Sequence, residues 1–265
     1  MNATKTIYQL GKASFSVEHD DPNFEQTLSR LLPLSPKLVD DSEVLRVHMG
    51  LSHNIRALLS EIINQHHQHL LIQAASLKSV DGAKMLLSGG QGSGKTTLAI
   101  ALAHCHGWKV FAEDMTIIDP EINQLTTFGA PFKLKQSMRK VLAESGVELA
   151  GFIFWEWFPL NPAITAGSCN ARLELALHLE GQVNEQPLSC VRITPSEYIR
   201  KLLPISNLLS RHATTKFAEY LPPDNCYSIA GGSVTERLHK ITELAAMNNS
   251  SPVEETSSHK ERTQS

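Results

Sequence analysis

Gly89-Gly90-Gln91-Gly92-Ser93-Gly94-Lys95-Thr96 has the form G-x-x-x-x-G-K-[ST]. Glycines at this spacing let successive backbone N–H groups converge on one anion, and a helix starting directly after them adds the positive end of its dipole. The chemistry that suits is the cradling of a nucleotide's β-phosphate. Lys95 is a compact charge able to reach the β- and γ-phosphates, and the Thr96 hydroxyl, with Thr97 behind it, is placed to join the oxygen shell of Mg²⁺. Leu87-Ser88-Gly89-Gly90-Gln91 also spells a transporter-ATPase signature. One segment cannot both wrap a nucleotide and reach across a dimer, so that second match is read as coincidence.

The next informative pair is Glu113-Asp114. Between Lys95 and Asp114 there is room for one helix and one strand and nothing else. The carboxylates therefore come from the strand that follows the helix, whose carboxyl end opens on the phosphate crevice if it lies beside the strand that feeds the glycine loop. Two carboxylates there can divide the labour, one holding Mg²⁺ and one accepting a proton from an attacking hydroxyl. Position alone leaves open which of Glu113 and Asp114 takes which role, since successive strand residues face opposite ways; Lys95 completes the catalytic set, and Thr96 shares the metal with one of the two carboxylates.

The elements that position these residues can be read from apolar periodicity and turn chemistry. Leu70 to Leu77 and Ala83 to Leu87 flank the turn-forming Lys78-Ser79-Val80-Asp81-Gly82 and predict a hairpin whose second strand runs into the glycine loop. Thr96 to His106 is rich in helix formers and ends at Gly107; Lys109 to Ala112 predicts a strand, and Met115 to Asp119 with Gln124 to Phe128 a second hairpin. Upstream, Thr6 to Gln9 and Ser14 to Val17 read as short strands, Phe24 to Leu32 as a helix capped by Asn23 and ended by Pro33, Glu43 to Val47 as a strand and Ser52 to His67 as a helix. Downstream, Gly151 to Phe158 reads as an aromatic core strand, and Thr194-Pro195-Ser196-Glu197 starts a helix with a capping box. Lys133 and Lys135, two apart after a Gly-Ala-Pro turn, are expected to share a strand face.

Across 265 residues, 42% apolar and 19% charged residues describe a globular α/β chain, and the net charge of −3 argues against a surface that coats nucleic acid or an anionic membrane. No apolar stretch approaches the roughly 20 residues a spanning helix needs, and the N-terminus does not read as a signal peptide, so the cytoplasm is the expected compartment. Cys105, Cys169, Cys190 and Cys226 form no Cys-x-x-Cys pair and are read as reduced thiols; the His66, His67 and His69 cluster and the triplet His104-Cys105-His106 are read as ordinary histidines. The expected organisation is a small N-terminal α+β subdomain over 1–42, an α/β P-loop domain over 43–246, and a polar, disordered tail over 247–265.

Leu71-Ile72-Gln73-Ala74-Ala75-Ser76-Leu77, the stretch from Met85 to Thr97, and His106-Gly107-Trp108-Lys109-Val110-Phe111-Ala112-Glu113-Asp114 resemble the catalytic domain of HPr kinase/phosphorylase and the shorter HPr-kinase-related proteins. The likeness extends more loosely through Gly129 to Lys135, Gly151 to Phe158 and Pro195 to Leu244. It implies a P-loop kinase fold akin to ATP-dependent phosphoenolpyruvate carboxykinase, ATP and Mg²⁺ as cofactors, and phosphorylation of a serine in a protein or peptide; a homo-oligomer is compatible with it. The resemblance also places the acid-base carboxylate in the Glu113-Asp114 pair, where the family commonly has Asp-Asp or Asp-Glu: Asp114, matching an aspartate of that pattern, is read as the base, and Glu113, with its extra methylene, as the Mg²⁺ ligand. Such proteins commonly carry a histidine where this chain has Gln73, which cannot titrate, so the reverse, phosphate-driven reaction is not expected. Two rival readings remain: a small-molecule kinase, disfavoured because Thr116 to Val147 offers the single arginine Arg139 for a lid, and a nucleotide-binding regulator that has lost catalysis.

Overall fold

The computed structural model describes residues 6–19, 22–32, 34, 44–50, 55–144, 146–147, 157–158, 165–183 and 186–249. The N-terminal residues form β1 (Tyr8–Leu10) and β2 (Ala13–His19), a hairpin, followed by α1 (Pro22–Leu31) and β3 (Leu45–Gly50). Asn23 lies within α1, which begins at Pro22, so it is not the residue before the helix; Pro33 falls outside the described residues. β3 runs parallel to β2, so this sheet extends past residue 42. α2 (Ile55–Asn64) buries Ile55, Leu58, Leu59 and Ile62, the positions its periodicity picks out; Ser52 to Asn54 lie outside the described residues. Phe24, Leu28 and Leu31 join this core, as do Ala112, Ile117 and Phe128 from the next unit.

Beyond α2 come β4 (Leu70–Ile72), β5 (Ala74–Lys78), β6 (Lys84–Gly89), α3 (Lys95–His106), β7 (Lys109–Ala112), β8 (Thr116–Asp119) and β9 (Gln124–Thr126). The apolar run from Leu70 to Leu77 is broken at Gln73, whose N–H goes to the Ile205 carbonyl at 2.8 Å, and its two halves join different sheets. β10 (Phe132–Lys133), α4 (Gln136–Glu144), β11 (Trp157–Phe158), β12 (Cys169–Asn170), β13 (Leu175–Glu180), β14 (Ser189–Arg192), α5 (Pro195–Leu202), α6 (Thr214–Ala218), β15 (Cys226–Ala230) and α7 (Val234–Asn249) complete the chain. Of the aromatic strand expected over 151–158, only Trp157 and Phe158 are described, paired with Lys133 and Phe132. α7 carries helix three residues into the segment read as a tail; 250–265 lie outside the described residues.

The main sheet has the order β14-β15-β13-β6-β5-β7, and a second sheet the order β12-β9-β8-β4. This corrects one expectation: β7 does not lie beside the glycine-loop strand, because β5 stands between them. β5 is antiparallel to both neighbours, and two reversals restore the direction, so β6, β7, β13 and β15 all run the same way. Their carboxyl ends share one edge. Alternation along β13 sends Leu175, Leu177 and Leu179 into a core with α3 and α7, and Ala176 into a core with α5. α3 is buried almost all round, and Gly107 closes it at φ 68°, a left-handed position that glycine takes without a Cβ penalty. Among the described residues no helix is long and apolar enough to cross a membrane.

Leu177 is fully buried at the centre of the sheet, whereas Leu209 is 60% exposed. Leu177→Ala is expected to cost about 2–5 kcal/mol of unfolding free energy and Leu209→Ala less than about 0.5 kcal/mol, as read by urea denaturation.

Candidate functional site

The loop between β6 and α3 is shaped by a close approach. Gly89 has φ 146°, and a Cβ there would stand 2.5 Å from the Leu179 carbonyl oxygen of β13, so only glycine lets the chain leave the sheet at this point. Gly90 has open space where a side chain would be. Lys95 Nζ donates to the carbonyl oxygens of Gly89 at 2.8 Å and Gly90 at 3.1 Å, which holds it across the mouth of the loop. Burial lowers its pKa, opposed by the charges of Asp114 and Glu113.

β7 ends at Ala112, so Glu113 and Asp114 sit in a bend and not on extended strand. That frees the pair from strict alternation. Glu113 is buried and accepts a hydrogen bond at Oε1 from the Thr96 hydroxyl, joining the two residues expected to share Mg²⁺. Its carboxyl is pushed up to about 8, first by burial and then by the neighbouring charge of Asp114, while Thr96 and Lys95 pull it down. Asp114 is exposed at the same lip. Thr97 is buried in the first turn of α3, directly after Thr96.

A buried arginine that the sequence reading passed over holds this loop. Arg237, on α7, has no exposed surface; Nε donates to the Gly231 carbonyl at 2.7 Å, one terminal nitrogen to the Ser93 carbonyl at 2.8 Å and the other to the Gln182 carbonyl at 3.4 Å. One guanidinium thus ties the glycine loop to the turns after β13 and β15. The turn after β13 lies over the glycines, with Gln182 and Val183 carbons 3.8 Å and 3.0 Å from where Cβ atoms of Gly92 and Gly94 would be. The signal that finds α7 is Ser233-Val234-Thr235-Glu236, a capping box in which the Ser233 N–H donates to Glu236 and the Glu236 N–H to the Ser233 hydroxyl.

Beneath the loop a second polar group lies on the α5 face of the sheet. Ser88 Oγ donates to the Leu177 carbonyl at 3.1 Å and lies 3.0 Å from His178 Nδ1, and the Tyr198 hydroxyl reaches the carbonyls of Leu86 and Leu177 at 3.3 Å. His178 is pulled down to about 4, by burial first and then by Lys201, with Glu180 opposing.

The other expectations separate. Lys133 ends β10 while Lys135 lies past it, so the two do not share a strand face; both are exposed. The four cysteines are free thiols. His66 is packed against Phe128 and Gly11, and among the described residues no group of three or more His, Cys, Asp or Glu is arranged to hold a metal. Gln73 is half-buried at the break between β4 and β5.

The donor set fits a nucleotide with Mg²⁺: a glycine loop open at Gly90, a lysine across its mouth, and a threonine hydroxyl against a carboxylate. No known protein family matches the chain, and no curated protein matches it. Among solved structures it is similar to the Hpr(Ser) kinase/phosphatase from Coxiella burnetii, at 12% identity over 68% of this chain and 95% of that one, with a TM-score of 0.35.

Two outcomes follow from burial. Folding favours the protonated form of Glu113, so that contribution to stability is whole below the ordinary value of 4.5 and is lost as pH rises through about 8. In thermal melts without nucleotide and with a chelator, Glu113→Gln is therefore expected to gain stability relative to the parent chain between pH 5 and pH 8.5. Arg237→Met removes the donor of three carbonyls at about 1–3 kcal/mol for each buried group left unpaired, so a loss of about 3 kcal/mol or more is expected in urea unfolding.

Proposed function

We propose that the protein is an ATP-dependent phosphotransferase that moves the γ-phosphoryl group to a serine hydroxyl of a protein or peptide. The observation that carries this reading is the contact of the Thr96 hydroxyl with the Glu113 carboxylate at the lip of the glycine loop, with Asp114 exposed beside it. The resemblance of the Met85 to Thr97 and His106 to Asp114 stretches to HPr-kinase-related proteins supports the choice of serine as acceptor.

In this reading the backbone N–H groups from Gly90 to Thr96 hold the β-phosphate, and Lys95 turns from the Gly89 and Gly90 carbonyls to the β- and γ-phosphates. Thr96 and Glu113 hold Mg²⁺, which when bound neutralises charge on the phosphate oxygens. Asp114 orients the acceptor hydroxyl and takes its proton as the new O–P bond forms and the bond to the β-phosphate oxygen breaks. Burial keeps the Glu113 carboxyl protonated into the neutral range, so Glu113 would have to give up that proton in order to hold Mg²⁺. Gln73 supplies no titratable group, and the reverse reaction, dephosphorylation driven by inorganic phosphate, is expected to be absent.

Lys95→Ala is expected to lower transfer by about 10²- to 10³-fold, because its charge matters most as charge develops in the transition state. Asp114→Asn should abolish transfer while leaving ATP affinity within a few fold. ATP titration and radiolabel transfer to serine-bearing protein or peptide, run on both variants, check the pair; retained transfer in Asp114→Asn removes it as the base.

A further inference from the structure

On the α5 face of the main sheet, a cavity of ≈ 360 Å³ lies over the carboxyl ends of β13 and β15, lined by Glu180, Ser189, Val191, Arg200, Lys201 and Ser228 among others. Its position ties it to the glycine loop. Leu179 pairs with Gly89, so Glu180 stands level with the start of that loop, and His178, two residues back on the same face, contacts Ser88. β15 lies two strands from β6 and four from β7, whose end carries Asp114, lateral spans of about 10 Å and about 19 Å at the usual strand spacing.

The charges lining the cavity are mostly committed to one another. Glu180 accepts from Lys201 Nζ at 2.5 Å and from the Ser228 hydroxyl at 2.7 Å. Glu197, at the rim, accepts from both the N–H and the hydroxyl of Thr194 in the cap of α5. Arg200 is exposed, and among the described residues its guanidinium makes no hydrogen bond and no ion pair within 4 Å. A planar fork of donors over a cavity whose carboxylates are already satisfied suits a ligand that brings a carboxylate of its own. Val191, 56% exposed, gives the same cavity an apolar wall.

We propose that this cavity is the docking pocket for the acceptor chain, and that Arg200 grips a carboxylate about three to six residues from the phosphorylated serine. The lower bound is the span of about 10 Å from pocket to glycine loop and the upper bound the span of about 19 Å from pocket to Asp114, each divided by the roughly 3.3 Å that an extended residue covers. The proposal rests on the phosphotransferase reading and adds to it the feature of the acceptor that is selected: an acidic side chain at a fixed distance from the hydroxyl.

The test uses the full chain, ATP with Mg²⁺, and synthetic peptides with one central serine in a neutral background, in which a single Asp or its Asn counterpart is moved from one to eight residues away on either side. At one separation between about three and six residues the Asp peptide is expected to exceed its Asn counterpart by about ten-fold or more in kcat/KM, mostly through KM. Arg200→Gln should erase that preference with ATP affinity unchanged, and Arg200→Lys should restore part of it, since charge returns without the fork. Equal rates for Asp and Asn peptides at every separation, or a preference that survives Arg200→Gln, would each overturn the docking pocket. Weakened ATP binding in Arg200→Gln would overturn it too, by giving the cavity to the nucleoside. Absence of ATP binding by the parent chain, or of transfer to any of the peptides, is a separate failure, that of the phosphotransferase reading itself.

Discussion

A guanidinium with no exposed surface organises the phosphate-facing edge of this protein. Arg237 faces carbonyl oxygens from three turns, and burial lowers its pKa. An isolated buried cation is costly to keep from water, and it is tolerated where enough acceptors surround it. Here those acceptors are Ser93 in the glycine loop, Gln182 after β13 and Gly231 after β15. Satisfying one charge therefore fixes the relative placement of three loops that the sheet alone would leave independent. The close approach of Gly89 to the Leu179 carbonyl fixes the loop from its other side.

The arrangement of strands explains how Glu113 reaches Thr96 although β7 is two strands from β6. A hairpin places β5 between them, antiparallel to both, and the second reversal returns β7 to the direction of β6. The acidic pair then emerges at the same edge as the glycine loop. Glu113 is buried as a result: burial first, and then the neighbouring charge of Asp114, raise its carboxyl, Thr96 and Lys95 oppose them only in part, and it keeps its proton into the neutral range. Asp114, exposed one residue later, stays accessible to an incoming group.

The two faces of the sheet carry different tasks. On one, α3 and α7 pack over Leu175, Leu177 and Leu179, and that core is almost wholly apolar. On the other, α5 brings Tyr198 and Lys201 over Ser88, His178 and Glu180, so polar side chains run from beneath the glycine loop to the cavity between α5 and β15. His178 is kept neutral there by burial and by the positive charge of Lys201.

Local patterns in the sequence determined the glycine loop, the helix from its end to Gly107, the strand ending at Ala112, both hairpins and the capping box of α5, because each depends on residues a few positions apart. The separation of Lys95 from Asp114 likewise limited what could lie between them. Tertiary structure decided what those patterns leave open. That β5 stands between β6 and β7, that Gln73 breaks one apolar run into strands of two sheets, and that Lys133 and Lys135 part company are matters of pairing between distant segments. Arg237 in α7 reads in the sequence as one more charged residue on a helix; its three acceptors lie 6, 55 and 144 positions away, and no local pattern encodes them. Short-range propensity fixes elements, whereas long-range burial of polar groups, which must find partners wherever the chain brings them, fixes the site.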